Sequence, residues 1–432
     1  MSVLLPVRRV GKRVAKPSPD SSVPVLRDDA EALRVATALA ERFRPGASSR
    51  DRERRLPFDE VKELAASGLL GITVPRSHGG ADVSMVTLAN VFRILAAADG
   101  SLGQIPQNHF VFVDAIRGAG TPAQKKFFFE QFLKGQHLGN ALKEPDMITK
   151  DGHNLRTTFT KTRGGYVING RKTYCTGALF APWVPVFVTD DQKRVFTAYV
   201  KRGTPGMTIH DDWSGMGQRT TASGTTTFDN VFVPDRFVVH RYKVAGEYHG
   251  TSGFAQIMHA GIDAGIAEEA LHDTIDFIRT RARVSPDSGL DRHADEPYVI
   301  RRVGELALQL NAANALVRRA GELLDIARRE GQGTEQTEID ATLAVGEARF
   351  ATDAVALAIT NELFTLNGAS ATREEFNLDR HWRNARTHTL HDPPYWKTFN
   401  LGNYLINGRK PRGLSAGRGD LQNPKSVAVN GR

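Results

Sequence analysis

The spacing of apolar positions along this chain changes twice. From about 28 to 135 they recur every three to four residues. "DDAEALRVATALAERF" opens with acidic residues where a helix N-terminus favours them, and "TPAQKKFFFEQFLKG" runs from a Thr cap through a first-turn Pro to a closing Gly. The pattern predicts a block of short to medium helices. From about 136 to 245 the period falls to two. "TTFTKTRGGYVINGRKTYCTG" reads as strand, Gly-Gly turn, strand, Asn169-Gly170 turn, strand, and "TTTFDNVFVPDRFVV" repeats the theme with Asp229-Asn230 as its turn. An antiparallel sheet or small barrel is expected there. From about 246 to 406 helical spacing returns in longer pieces. Leu306, Leu310, Ala313, Val317, Ala320, Leu324 and Ala327 fall on one face, and a second long helix stops at Asn367-Gly368. Long helices with short connections predict an antiparallel bundle.

Composition narrows the class. At 432 residues the chain is long enough for two or three domains. No apolar run approaches the ~18 to 20 residues of a spanning helix. The net charge of +9 raises the possibility of a nucleic-acid binder, but its location argues against one. Residues 1–27 and 409–432 each carry six basic residues against one acidic, which leaves the body near −1. The ends, 1–27 and 407–432, therefore read as solvated, disordered basic tails. The N-terminal tail is Arg-rich and acid-poor like a transit peptide, yet it lacks an amphipathic apolar stripe. With Cys175 as the lone cysteine no internal disulfide forms, which fits a reducing, cytoplasmic setting.

Several segments resemble the acyl-CoA dehydrogenase superfamily: "ALKEPDMITK" (141–150), "NGRKTYCTGA" (169–178) and "NGASATREEFNLDRHWRNAR" (367–386). Within it, "ASGLLGITVPRSHGGADV", "AAADGSLG", "DDWSGMGQRTTASGTT" and "HWRNARTHTLHD" resemble the flavin-dependent monooxygenase branch typified by dibenzothiophene monooxygenase and the sulfur-acquisition oxidoreductases. The likeness spans about 28 to 406. It implies an α+β, mainly α fold: an N-terminal helical domain (28–135), a middle antiparallel β-barrel domain (136–245) and a C-terminal four-helix bundle (246–406).

The same resemblance makes one absence informative. A dehydrogenase removes an α-proton with a glutamate, placed on the loop after the Arg-bearing helix or on the first long bundle helix. Here the loop reads "HTLHDPPYW" and the helix offers Ala255. Asp392 is a short substitute for that base. Without a base, the chemistry implied is that of reduced flavin and oxygen. It needs a dry pocket and hydrogen-bond donors rather than a carbanion base. Imidazole suits that task because a carboxylate fixes one nitrogen while the other donates. His391 with Asp392, assisted by His388, forms such a set; the alternative is two satisfied histidines at a helix end. His109 opens an otherwise apolar helix and is either a core histidine or a wall of the flavin and substrate cavity.

For the cofactor, the resemblance implies that Asn140 begins the segment lining the flavin ring edge and that Thr176 offers a hydroxyl on the N5 side. It puts Trp213 against the ring or its chain, with Arg219, Thr221 and Ser223 near the phosphate. Arg283 and Arg383 are candidate phosphate ligands, with Arg380 beside them, although each could equally be solvated or tie its own loop. Phe254 and Trp396 are expected in the substrate pocket, and no metal site is assigned. "GMG" (215–217) lacks the third glycine and the following helix of a dinucleotide fingerprint. Reduced FMN from a separate NAD(P)H-dependent flavin reductase is therefore expected, with FAD as the alternative. The expected activity is FMNH2- and O2-dependent oxygenation of a small organosulfur compound by a homotetramer, with no nucleic acid or membrane partner. The competing readings are an FAD-dependent acyl-CoA dehydrogenase with an atypical base and a catalytically silent scaffold.

Overall fold

The computed structural model describes residues 23–411 apart from 146–147, 150–151, 154, 245–250 and 330–332. Most of the two basic tails, 1–22 and 412–432, lies outside the described residues. Residues 23–27 do not behave as a solvated tail: Leu26 is buried in the N-terminal core. At the other end Lys410 pairs with Glu335 and Pro411 is buried.

Seven helices come first: α1 (Asp29–Phe43), α2 (Ala47–Glu53), α3 (Phe58–Ala66), α4 (Met85–Ala98), α5 (Gly100–Gln104), α6 (Gln107–Ala119) and α7 (Pro122–Leu133). Their ends follow sequence chemistry. Asp28 caps α1, and Thr121 with Gln124 forms a capping box on α7, each satisfying amides that have no intrahelical partner.

The β region contains β1 (Ile148–Thr149), β2 (Gly152–His153), β3 (Thr158–Thr162), β4 (Gly165–Lys172), β5 (Trp183–Thr189), β6 (Val195–Lys201), β7 (Met207–Ile209), β8 (Thr226–Pro234) and β9 (Val238–Val239). A four-stranded antiparallel sheet, ordered β3-β4-β8-β7, shares one apolar core with a three-stranded sheet, β5-β6-β9. The antiparallel sheet or barrel expected here is, among the described residues, a pair of antiparallel sheets packed on one core. Neither Asn169-Gly170 nor Asp229-Asn230 is a turn. β4 and β8 run straight through them, and the pairing register shifts between Ile168 and Gly170. Asn169 and Asn230 face each other there, the Asn230 N–H donating to Asn169 Oδ1 at 2.6 Å. Asn230 takes the left-handed conformation that Asn tolerates. The two turn-like dipeptides are the two sides of one paired bulge.

The last region holds α8 (Thr251–Thr280), α9 (Pro297–Arg328), α10 (Glu335–Asn367), α11 (Asp379–Thr389) and α12 (Tyr395–Asn407). All seven residues of the apolar stripe on α9 are buried. Each leucine among them stabilises the bundle by about 1.5–3 kcal/mol. α8 packs against α4, α9, α10 and α11, so it is apolar on nearly every face. His259 and Asp263 are polar exceptions in its buried middle.

Candidate functional site

One wall of the site comes from the β region. Glu144 accepts hydrogen bonds from Lys172 and from the amides of Arg156 and Thr157, in a fully buried ion pair. This contact sets the segment carrying Asn140 beside the turn after β4 that carries Thr176. Asn140 Nδ2 donates to the Tyr174 carbonyl at 3.1 Å, and its Oδ1 is buried with no partner among the described residues. Cys175 is buried, and burial pushes its thiol up to about 11, so it is a packing residue rather than a nucleophile.

Thr176, Ser223 and Thr221 form a chain of hydroxyls, with both oxygen–oxygen distances 2.7 Å. Its direction is fixed at one end. Thr221 donates to the Gln218 carbonyl at 3.0 Å, so Ser223 donates to Thr221 and Thr176 donates to Ser223. Thr176 is left with lone pairs at the open end. Trp213 donates from Nε1 to the same Gln218 carbonyl at 2.9 Å, so it braces the loop at 213–223.

That loop is locked to α11. The Gln218 N–H donates to Asn384 Oδ1 at 2.6 Å, and Gln218 Nε2 donates to the Gly100 carbonyl at 3.0 Å. A Cβ on Gly217 would stand 1.9 Å from the Arg383 carbonyl, so only glycine permits this approach. Arg383 spends all five N–H donors on Asp51, Asp379, Asn377 and the Met216 carbonyl. Arg380 is held by Asp273 and the Asn377 carbonyl. The phosphate role expected for Arg383 is therefore replaced by a structural one: it ties α11 to α2 and to the loop.

One turn beyond Asn384 the helix delivers His388, buried between two partners. His388 Nδ1 lies 2.5 Å from Asp263 Oδ1, and His388 Nε2 lies 2.9 Å from His259 Nδ1. Arg349 on α10 closes the series, paired with Asp263 and lying 3.1 Å from Asp353. His391 sits outside this array, with 42% of its side chain exposed and its ring centroid 4.2 Å from that of His259. Asp392 holds His391 Nδ1 at 3.2 Å and accepts from Gln256 Nε2 at 2.7 Å.

The electrostatics follow from burial. Burial pushes His259 and His388 well below the usual imidazole range, and the neighbouring imidazoles and Arg349 add to this, so both rings are neutral near pH 7. Burial also pushes Asp353 up to about 8, helped by Asp263 and opposed by Arg349. Asp263 is raised by burial against the pull of the same guanidinium. Asp392 differs: burial acts to raise it, but the hydrogen bond and charge of His391 hold it well below the ordinary carboxylate range.

His391, Asp392 and His388 thus come together. His259, Asp263, Arg349 and Asp353 were not found from the sequence, although each pair is spaced i, i+4 in an otherwise apolar helix. His109 stands apart. It is fully buried, its Nε2 donates to the Leu70 carbonyl at 2.7 Å, and its Nδ1 accepts from the Leu138 N–H at 3.3 Å. With both nitrogens spent on backbone it is a satisfied core histidine, not a group free to act on oxygen or substrate. Phe254 is buried in the bundle core with the Arg328 guanidinium 4.4 Å from its ring, and Trp396 is half-exposed on α12 beside Phe399. Among the described residues Arg219 and Arg283 have no carboxylate partner; Arg219 is half-buried and Arg283 exposed.

Models of the acyl-CoA dehydrogenase N-terminal, middle and C-terminal domains match residues 28–136, 140–231 and 257–393. The chain is 34% identical to dibenzothiophene monooxygenase of Rhodococcus erythropolis, over 89% of this chain and 95% of that protein. It is 31% identical to the Pseudomonas putida protein named "Probable FMNH2-dependent monooxygenase SfnC", over 90% and 98%. The crystal structure of TdsC from Paenibacillus sp. A11-2 with FMN and indole superposes with a TM-score of 0.83 at 29% identity, over 88% of this chain and 98% of that one.

Proposed function

The chain belongs to the acyl-CoA dehydrogenase family, and on that premise we propose that it is the oxygenase component of a two-component flavin-dependent monooxygenase acting on a small organosulfur compound. The observation that carries this is a polar segment, His388 to Asp392, that holds two histidines and an aspartate but no glutamate. By the resemblance to the dehydrogenases, Ala255 stands at one of the two positions their glutamate takes, and the other falls in the loop of His391, Asp392 and prolines. The relatives support the same reading through what they are named to use, reduced FMN, and to act on, dibenzothiophene.

The residues present fit FMN. Asn140 Oδ1 is a buried acceptor with no partner among the described residues, and a flavin ring edge supplies N–H groups. Thr176 ends its hydroxyl chain as an acceptor, which suits the N5–H of reduced flavin better than the bare N5 of the oxidised form. Arg219 is the half-buried cation suited to the phosphate, with Thr221, Ser223 and Trp213 shaping that loop. When bound, reduced FMN supplies the electrons and the position at which O2 is activated. This chain's part is to orient and to exclude water. Asp392 fixes the His391 ring through Nδ1, so Nε2 is the nitrogen left for oxygen or substrate.

Phe254 and Trp396 flank this region in sequence and are the proposed apolar contacts. The working form is a homotetramer, a dimer of dimers in which Arg283 reaches a neighbouring subunit's cofactor. Exposed apolar side chains on the bundle, Tyr298, Leu308, Leu405 and Ile406, support that packing. A cytoplasmic NAD(P)H-dependent flavin reductase supplies FMNH2. Among the described residues no helix is long and apolar enough to cross a membrane. Anaerobic mixing of flavin-loaded protein with acyl-CoAs tests the reading against its rival. The flavin should stay oxidised, and bleaching would return the protein to the dehydrogenases.

A further inference from the structure

The buried array behind His391 holds more polar groups than holding one helix end requires. The charged and titratable groups facing it are His259 and Asp263 on α8, Arg349 and Asp353 on α10, His388 on α11, His391 and Asp392 on the loop, and Lys397 on α12. The five residues on α8, α10 and α11 are all essentially buried. Groups so placed must be paired, and pairing fixes proton positions.

Proton positions follow in order from Arg349. Its guanidinium pairs more closely with Asp263 Oδ2 than with Asp353, so Asp263 is the carboxylate that balances it, while burial raises Asp353 and favours its neutral form. Asp263 Oδ1 then accepts, and the neutral His388 donates from Nδ1. His388 Nε2 is consequently a bare lone pair. It accepts from His259 Nδ1–H, which leaves His259 Nε2 without a hydrogen. The His259 ring lies against His391, tilted by 37° with centroids 4.2 Å apart. Two charged imidazoles at that distance repel, whereas a neutral ring leaves its neighbour free to carry the proton.

We propose that Asp263, His388 and His259 form a positioning relay that locks His259 as its neutral Nδ1–H tautomer, so that any proton shared by the stacked histidine pair resides on His391. His259 and His388 are positioning residues: they act through His391, which is the group proposed to meet oxygen. The inference rests on that reading of His391 for its purpose, but its geometry is tested without flavin.

Histidine 15N NMR of the flavin-free protein reads the tautomers directly. In the wild-type chain His259 and His388 should both appear as neutral Nδ1–H forms from about pH 8 to about pH 5. His388→Gln retains a carbonyl oxygen able to accept from His259 and should preserve the His259 tautomer. His388→Leu removes the acceptor, and His259 should redistribute toward the Nε2–H form. In the loaded enzyme, product formed per NADH should follow the tautomer, kept in His388→Gln and reduced about tenfold in His388→Leu. Finding wild-type His259 as Nε2–H or charged near neutrality overturns the relay, as does an unchanged His259 tautomer in His388→Leu. If neither variant folds, the wild-type spectrum decides alone. Tautomers as stated, together with normal coupling in His391→Ala, would remove the oxygen role of His391 and leave the relay standing.

Discussion

The amide of Gln218 donates to Oδ1 of Asn384 at 2.6 Å across 166 residues of sequence. Together with the bond from Arg383 to the Met216 carbonyl, it joins the loop proposed to hold the cofactor to α11, the helix that carries His388. Gln218 and Asn384 are both buried, so Asn384→Ala leaves an unpaired N–H. It should destabilise the flavin-free protein by about 1–3 kcal/mol and weaken FMN binding several-fold. Chemical denaturation and a flavin titration check both; unchanged FMN affinity would show that the loop holds its shape without α11.

Arg219 and Arg383 should separate cleanly. Arg219 has no carboxylate partner among the described residues, whereas every donor of Arg383 is committed to protein. Arg219→Ala should weaken FMN about tenfold and leave riboflavin, which lacks the phosphate, nearly unchanged. Arg383→Lys should lower stability and weaken both flavins alike. The FMN-to-riboflavin affinity ratio is the quantity to measure, and an equal loss for both ligands in Arg219→Ala would remove it from the phosphate site.

Buried neutral histidines make the fold acid-sensitive. Burial lowers His109 to about 3 and His137 to about 4, against about 6.5 in an unfolded chain. Between those values the unfolded state binds protons that the folded state does not. The stability these two neutral histidines contribute is therefore full above about pH 6.5 and is lost as pH drops toward 4. His109→Gln, which removes one such group, should lower the slope of unfolding free energy by up to about 1.4 kcal/mol per pH unit across this window. Denaturation at several pH values checks it, and an unchanged slope would mean His109 already titrates in the native protein.

The element types were legible because period and caps are local. The α9 stripe and the Thr121 cap needed no tertiary information. Asn169-Gly170 and Asp229-Asn230 misled because a paired bulge uses the same left-handed chemistry as a tight turn, and only the facing strand distinguishes them. Leu26 was hidden inside a basic segment whose charge outweighed one apolar side chain. At the site, His391 and Asp392 were readable as a dense polar cluster. His259 with Asp263, and Arg349 with Asp353, were not, because each pair becomes conspicuous only once helix packing shows it has no water to reach. His109 failed as a site residue for the converse reason: its two backbone partners, at Leu70 and Leu138, come from distant segments.

His391→Ala should keep the fold and weak FMN binding. With a reductase supplying reduced flavin, NADH consumption should continue while hydrogen peroxide replaces product. Losing one charge-supported hydrogen bond, about 1.5–3 kcal/mol, should lower coupling roughly 10- to 150-fold. Asp392→Asn should be milder, since the ring remains but loses the carboxylate that orients it. Product and peroxide are quantified in the same vessel; wild-type coupling in His391→Ala would dismiss its role.

The most direct measurement supplies the protein with FMN, NADH, a flavin reductase and 18O2, and follows a panel of organosulfur compounds from short-chain sulfur compounds to dibenzothiophene by mass spectrometry. The account predicts at least one sulfur-oxygenated product carrying 18O, formed only when the reductase is present. Product oxygen drawn from water, or no oxygenation of any panel member while acyl-CoAs bleach the bound flavin without oxygen, would contradict it.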